Sequence, residues 1–206
     1  MLTRGILLIG SVFFVSVASA TQQPQSLFDQ AVRDFSSGRI EESVAGFNAL
    51  VKLQPKRAPY LWQRGIALYY AGQYRECQAQ FESHRIVNPN DVENAAWHFL
   101  CVARADSLEM ARARLLPVGP DSRVPMREIY EMFQGVRSPD NILAVYWGDP
   151  RSRFYAELYA GLYFEALGNR TRALRHLTGA AAVRFATTGG YMHMVTRVHL
   201  AVRNEN

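Results

Sequence analysis

The five histidines have the side chains best suited to metal binding in this chain, and their spacing argues against a metal site. They are His84, His98, His176, His193 and His199. No two of them stand four residues apart, the spacing that places two ligands on one face of a helix. None has an acidic residue at a metal-ligand spacing either. We therefore expect no bound metal and interpret the histidines as surface residues or hydrogen-bonded core residues.

Serine, cysteine and the acidic residues also lack the local patterns of catalytic sites. No serine lies in a G-x-S-x-G turn, and no glycine-rich loop follows an evident strand. Neighbouring acids such as Glu41 and Glu42 are not set out as an acid–base pair. The sequence predicts no catalytic residues and no cofactor, although a single sequence leaves open a site assembled across the fold.

Cys77 and Cys101 are the only two cysteines, and two hypotheses fit them. They fall on neighbouring predicted helices that run antiparallel about a turn near residues 87–91. Counting outward from that turn places both at a similar height, so a disulfide would form in an oxidising compartment if the Cα atoms lie within about 7 Å. The alternative is two buried thiols that serve as small packing residues.

Arg64 stands in a predicted helix where the pattern of neighbouring residues favours a large apolar side chain. A buried guanidinium needs a carboxylate or several carbonyl partners. We expect Glu76, Glu128 or Glu131 to supply that partner, which would make Arg64 a structural tie. A role for Arg64 in ligand binding is the alternative.

These residues are positioned by a repeat of thirty-four residues. Three positions recur at that displacement, as Gly38 and Gly72, Phe47 and Phe81, and Pro55 and Pro89. Each unit has two apolar-periodic stretches, with the glycine where the first helix ends and the proline after the second. One such hairpin cannot bury its own apolar face, so stacked hairpins are predicted.

Two weaker copies of the repeat follow, and one pattern of residue sizes recurs in all four units. A small residue precedes a large one by four positions in each, as Ser43/Phe47, Cys77/Phe81, Ala111/Leu115 and Ala173/Leu177. The third copy has lost its glycine and has Pro117 inside its second helix. A breaker-rich insertion with two predicted short helices separates the third copy from the fourth.

The chain resembles the tetratricopeptide repeat family over roughly two thirds of its length beyond residue 20. The resemblance implies an all-α solenoid in one domain, residues 21–206, with repeats 24–57, 58–91, 92–117 and 154–187. The insertion is then 118–153, and residues 190–203 form a capping helix. Segments such as LWQRGIALYY (61–70) and FYAELYAGLYFEALG (154–168) further resemble exported or plastid-associated repeat proteins, and the tail distantly resembles a lipoprotein adaptor of cell-wall hydrolases.

In this family the first helices line a concave groove. The resemblance therefore implies groove positions at Phe28, Phe35, Trp62, Tyr69, Tyr70, Arg104 and Tyr155. Aromatic residues are favoured anchors in interfaces, so an unidentified protein or peptide partner is expected there. Each of these side chains would otherwise simply pack against a neighbouring helix. The Lys/Asn clamp that related repeats use for a C-terminal carboxylate is not matched.

Residues 1–20 have the pattern of a secretory signal peptide, with Arg4, the apolar run 5–17 and small residues at Ala18 and Ala20. We expect cleavage after Ala20 and a periplasmic or secreted protein with no stable membrane anchor. An uncleaved signal anchor and an organelle lumen are the alternatives. The net charge of +5 is dispersed, so no nucleic-acid partner is expected.

Three functional hypotheses follow from the sequence. The first is an exported, non-catalytic scaffold that binds a protein or peptide through its groove. The second is an enzyme or small-ligand binder with a pocket between repeat two and the insertion. The third is a subunit that self-assembles through an apolar patch near Phe28, where no repeat precedes it.

Overall fold

The computed structural model describes residues 23–146 and 148–204. These residues form α-helices and short 3₁₀ segments, without any strand between 23 and 146 or between 148 and 204. The all-α prediction is therefore confirmed for the described chain. The predicted signal peptide, residues 1–20, lies outside it.

Eleven α-helices are found in the described ranges, most of them joined by tight turns. They are α1 (Pro24–Ser36), α2 (Ile40–Leu53), α3 (Trp62–Tyr70), α4 (Tyr74–Val87), α5 (Val92–Ala105), α6 (Leu108–Ala113), α7 (Met126–Gln134), α8 (Pro139–Val145), α9 (Pro150–Ala166), α10 (Arg170–Ala180) and α11 (Ala186–Asn204). Two 3₁₀ segments, Pro55–Tyr60 and Val183–Phe185, precede α3 and α11.

Three helical hairpins turn through the same backbone motif. Gly38, Gly72 and Gly168 follow the first helices of the pairs α1–α2, α3–α4 and α9–α10, with φ of 76°, 75° and 74°. This left-handed conformation disfavours any residue with a Cβ atom. The amide after each glycine donates to a carbonyl five residues earlier, which closes the helix end.

Close helix contact within the hairpins depends on glycines in the first helices. A Cβ atom at Gly65 would lie 2.6 Å from Cζ of Phe81, and one at Gly161 would lie 2.7 Å from Cγ of Leu177. The large side chain of the second helix therefore sits directly on the backbone of the first. This contact explains why small residues recur at these positions.

The insertion contributes two short helices, α7 and α8, as the sequence predicted. The buried face of α7 consists of Ile129, Met132 and Phe133. Its Phe133 ring lies 5.0 Å from Phe99 of α5 and 5.4 Å from Tyr163 of α9, in edge-to-face geometry. The insertion thereby fills the space between the third and fourth units and belongs to the same core.

Among the helices α1, α3, α5 and α9, α3 contacts α5 and α5 contacts α9. We call the surface of these four helices toward α11 the first-helix face. Helix α11 covers a large part of that face. It bends at Gly190, whose φ of 50° and ψ of −124° are not helical. Beyond the bend it contacts α9 and α10 and also reaches α1. The C-terminal helix therefore does more than cap the fourth unit, because it also returns to the first.

In the described chain, no helix has both the length and the apolar character needed to cross a membrane.

Candidate functional site

An open cavity of about 270 Å³ remains on the first-helix face where α11 does not fill it. We call it the aromatic cavity, because its walls include Trp62 of α3, Trp97 of α5, Tyr155 of α9 and Tyr191 of α11. These four rings come from four separate helices, and Phe81 of α4 adds a fifth. Residues far apart in the sequence meet here because the hairpins stack and α11 folds back over them.

The aromatic walls are held by contacts with other rings. Trp62 and Tyr191 meet edge to face with their centroids 4.8 Å apart. Trp97 lies 5.5 Å from Tyr69, and Tyr155 stacks on Tyr159 at 6.4 Å. Trp97 is buried, whereas Trp62 and Tyr191 are half-buried. The cavity therefore has a fixed floor and a more accessible rim.

An arginine of the insertion organises a charged wall of the aromatic cavity. The Arg123 guanidinium lies 2.6 Å from Asp91, 2.7 Å from Glu93 and 2.6 Å from Asp121. Asp91 begins α5 by accepting from the Glu93 amide, so the helix start also fixes its carboxylate. Three carboxylates surround one guanidinium, and this wall is therefore negatively charged when all three are ionised.

The two carboxylates that line the cavity differ in their affinity for a proton. Burial raises the pKa of Glu93, although Tyr159 donates to it at 2.6 Å and Arg123 pairs with it. Burial also acts to raise the pKa of Asp91, but the His84 imidazole and the Arg123 guanidinium outweigh it, and the net pKa is lowered. Asp91 is thus the more firmly ionised of the two.

Three deeply buried side chains line the aromatic cavity with a polar atom that has no hydrogen-bond partner. They are Asn94 Oδ1, Trp97 Nε1 and His84 Nε2, on residues that are 3%, 2% and 5% exposed. The Tyr191 hydroxyl at the rim is also without a partner. Buried polar atoms are normally paired, so this concentration at one cavity indicates a site for a ligand or ordered water.

The other polar side-chain atoms of Asn94 and His84 form hydrogen bonds with backbone carbonyls. Asn94 donates through Nδ2 to the Phe81 carbonyl at 3.1 Å, and Oδ1 is left as an acceptor. His84 Nδ1 lies 2.7 Å from the Pro59 carbonyl and must donate to it. His84 Nε2 lies 3.8 Å from Asp91 Oδ2, beyond hydrogen-bond distance.

The predicted groove residues do not form one open surface. Phe35, Tyr69 and Tyr155 are buried, and Phe28 and Tyr70 are half-buried. Tyr191 of α11 stacks over Phe35 at 6.5 Å, while Phe28 packs on Phe47 at 5.9 Å. The expectation of an open aromatic groove along all first helices is therefore wrong, because α11 occupies much of it. Of the seven predicted groove residues, only Trp62 and Tyr155 line the aromatic cavity.

Arg104, the remaining predicted groove residue, is exposed and faces a second cavity. Its guanidinium donates to the Tyr74 hydroxyl at 3.1 and 3.2 Å. Glu165, His199 and Arg203 line the same cavity, which is also about 270 Å³. Arg104 therefore lies apart from Trp62 and Tyr155, and the structure does not bring the seven predicted residues into one site.

Arg64 is half-buried and makes no contact with the insertion. It donates to Asn48 Oδ1 at 2.8 Å and to Gln80 Oε1 at 2.9 Å, so it ties α3 to α2 and α4. The expected tie to Glu128 or Glu131 is wrong, since Tyr146 donates to Glu128 and two arginines hold Glu131. Burial lowers the pKa of Arg64, and the charge of Glu76, the third expected partner, acts to raise it. Amide oxygens replace the carboxylate because helix stacking brings Asn48 and Gln80 nearer.

Cys77 and Cys101 face each other between α4 and α5. Their Cα atoms are 6.0 Å apart, both residues are fully buried, and the structure joins them as a disulfide. This Cα separation is typical of disulfides. The pair lies away from the aromatic cavity and links the second unit to the third.

In residues 23–146 and 148–204, no group of three histidine, cysteine or acidic side chains is arranged to hold a metal ion. The chain matches no known protein family and no curated protein. Sequence patterns missed the polar wall of the aromatic cavity, since Arg123 lies about thirty residues from Asp91 and Glu93 and no short motif joins them.

Proposed function

We propose that this protein is an exported, tetratricopeptide-like binding module that holds a protein or peptide partner at the aromatic cavity. The repeat assignment is supported by the shared glycine turns and by contacts between consecutive helices from α1 to α6. Further support comes from α3 touching α5 and α5 touching α9, as expected for first helices that lie side by side. Export is supported by the disulfide, which persists in oxidising compartments.

One observation carries the proposal. The aromatic cavity is the part of the first-helix face that α11 leaves open, and Asn94, Trp97 and His84 each present an unpartnered polar atom there. Leaving a buried polar atom unpaired costs about 1–3 kcal/mol, so a partner group that satisfies these atoms binds favourably. Trp62 and Tyr191 at the rim supply aromatic surface of the kind that anchors interfaces.

The proposed role is binding rather than catalysis because the nearby acids are already engaged. Asp91 and Glu93 both pair with Arg123, and Glu93 also accepts from Tyr159. A general acid or base has to exchange its proton with the substrate, and these carboxylates are held in ion pairs instead. We therefore assign them to shaping the electrostatic potential of the site.

A small-molecule binder is the second candidate, and one observation favours it. The aromatic cavity lies between repeat two, which supplies Trp62, Phe81 and His84, and the insertion, which supplies Arg123. Native mass spectrometry of protein purified from an exporting host tests this candidate, because a retained ligand adds its mass to that of the chain.

The main proposal can be tested with random peptides displayed on phage and selected on the immobilised protein. Selected peptides, resynthesised with a fluorophore, are titrated by fluorescence anisotropy against wild type, Trp62→Ala and Tyr60→Ala. Tyr60 is a matched control, since it is a nearby aromatic residue that is 61% exposed and lies outside the cavity lining. We expect Trp62→Ala to weaken binding at least tenfold and Tyr60→Ala to leave it unchanged.

Equal affinities for wild type and Trp62→Ala, with both proteins folded by circular dichroism, would contradict the proposal. Failure to select any peptide would contradict it as well.

A further inference from the structure

The aromatic cavity combines features that select for the charge of its occupant, and this inference rests on the function proposed above. Asp91 and Glu93 line it, and Arg123 is the cation that pairs with both of them and with Asp121. His84 also faces the cavity. An anionic group would meet two carboxylates at short range, so the charge of this wall favours a cation.

The aromatic rings of the cavity also favour a cationic occupant. Aromatic faces attract ammonium and guanidinium groups, and the attraction is strongest for tryptophan and increases as water is excluded. Trp62, Trp97, Tyr155 and Tyr191 approach the cavity from four helices, so a cation inside it contacts several rings at once. A wholly apolar ligand would use the rings but would leave the polar wall unsatisfied.

The unpartnered atoms show which kind of cation fits. Asn94 Oδ1 is an acceptor and requires an occupant that donates hydrogen bonds, while Trp97 Nε1 is a donor that such a cation leaves to water or to a carbonyl of the partner. A primary ammonium or a guanidinium has N–H donors, whereas a quaternary ammonium has none. The donor requirement therefore separates a lysine or arginine side chain from a trimethylated amine of similar charge.

The size and opening of the cavity indicate how this group arrives. A volume of about 270 Å³ is below the usual range of about 300–1,000 Å³ for sites that enclose a drug-sized ligand. The rim residues Trp62 and Tyr191 are half-buried, and the Arg123 side chain is 35% exposed, so the cavity is open to solvent. A single side chain can enter while its own backbone stays outside.

We propose that the aromatic cavity binds the positively charged end of a lysine or arginine side chain of the partner polypeptide. The N–H groups of that side chain donate to Asn94 Oδ1, its charge is balanced by Asp91 and Glu93, and its methylene groups contact Trp62 and Tyr191.

The test uses small lysine derivatives titrated calorimetrically into the full-length protein. The probes are N-acetyl-lysine methylamide, its norleucine analogue, which has a nearly isosteric but uncharged side chain, and the trimethyl-lysine analogue, which keeps the charge without N–H donors. We expect the lysine derivative to bind at least tenfold more tightly than norleucine and at least threefold more tightly than trimethyl-lysine. Butylammonium, a free amine of similar reach, is expected to bind no more tightly than the lysine derivative.

Two variants, each lacking one negative charge, show whether lysine binding depends on the charge at the cavity. Glu93→Gln, at the cavity, is expected to weaken lysine binding three- to tenfold. Glu109→Gln removes the same charge from the exposed face of α6 and is expected to leave it unchanged. Because Glu93 also supports Arg123 and Tyr159, Trp62→Ala at the rim provides an independent variant and is expected to cause a similar loss.

Equal binding of lysine and norleucine, or equal effects of Glu93→Gln and Glu109→Gln, would overturn the assignment to a cation. Trimethyl-lysine that binds as tightly as lysine would overturn the donor requirement. Butylammonium that binds more tightly than the lysine derivative would assign the cavity to a free amine instead. If selected peptides without basic residues bind in a Trp62-dependent manner, this inference fails while the proposed function stands.

Discussion

The hydroxyl of Tyr70 lies 3.0 Å from Nδ1 of His199, across 129 residues of sequence. Tyr70 ends α3, and its ring also meets Phe35 of α1 edge to face at 5.5 Å. His199 is 4% exposed, so the contact is shielded from water. A single tyrosine thus connects the first hairpin, the second hairpin and α11, and the C-terminal helix belongs to the core of the protein.

Removing the Tyr70 hydroxyl should destabilise the protein measurably. In Tyr70→Phe the ring contacts remain, but His199 Nδ1 loses its partner in a buried position. An unsatisfied buried polar atom costs about 1–3 kcal/mol, and we expect a loss of about 1–2 kcal/mol in the free energy of unfolding. Urea denaturation followed by circular dichroism measures it.

The matched control is Tyr60→Phe, which removes a hydroxyl from a tyrosine that is 61% exposed. Exposed substitutions of this kind usually change stability by less than about 0.5 kcal/mol. Equal losses for the two variants would show that the Tyr70–His199 contact contributes nothing.

Stability should decrease on acidification because of His199. Burial, together with the nearby Arg203 charge, lowers the pKa of His199 to about 3. The unfolded chain takes up this proton below a pKa of about 6.5, so stability is fully present above that pH and is lost as the pH falls from 6.5 toward 3. The contribution corresponds to about 2 kcal/mol between pH 7.5 and pH 5.

The variant His199→Gln should flatten this pH dependence, because it removes the titrating group but keeps a polar side chain. Glu165, whose Oε2 lies 3.6 Å from His199 Nε2, opposes the trend, since burial raises its pKa and the folded state keeps its proton to a higher pH. The pH dependence of the free energy of unfolding is therefore compared between wild type and the variants. Tyr70→Phe, which retains the imidazole, should keep most of the wild-type dependence. Identical profiles for wild type and His199→Gln would contradict the prediction.

The pairing of Cys77 with Cys101 predicts a protein without free thiols. Thiol titration of the unfolded, unreduced protein should detect none, and two should appear after reduction. The cross-link spans 24 residues, and a loop of that size corresponds to about 3 kcal/mol of stabilisation in the chain-entropy account.

The double variant Cys77→Ala/Cys101→Ala separates this effect from that of the reductant. Reduction should lower the denaturation midpoint of wild type and leave that of the double variant unchanged. Two reactive thiols in protein isolated from an oxidising compartment would favour the alternative of two packing cysteines.

Gly190 should be sensitive to any side chain. Its φ of 50° with ψ of −124° is a conformation that residues with a Cβ atom rarely adopt, so Gly190→Ala should destabilise by about 1–3 kcal/mol. The strain falls at the bend that directs α11 onto the first-helix face. Hydrogen exchange in residues 191–204 should therefore become faster.

Gly148→Ala is the control for this substitution. No atom lies within 4 Å of the position that its Cβ would take, and its backbone is not left-handed. We expect a change of less than about 0.5 kcal/mol. If the two variants are equally stable, the bend at Gly190 does not depend on glycine.

The hairpins could be predicted because their signals are local. Gly38 and Gly72 end first helices through backbone conformation, while Pro55 and Pro89 stand two residues after α2 and α4 end. These effects operate within one turn of the chain. The same residue types at the same spacing therefore predict the same structure in each unit.

The position of α11 could not be predicted in the same way. Val195 and Val198 share an apolar face of this helix, and both are buried. Periodicity identifies the face of a helix that is buried but not the surface that covers it. The end of the fourth unit and the first-helix face were both apolar, and the bend at Gly190 allows α11 to use them together.

The contact between α1 and α11 also restricts how such a chain can change in length. Arrays of stacked hairpins generally grow or shrink by duplicating or deleting a unit, since each unit touches only its neighbours. Here the last described helix meets the first, so an inserted unit would separate two surfaces that bury one another. Duplication of a hairpin within this array would therefore have to break the contact between α1 and α11. The fold thus depends on the number of hairpins.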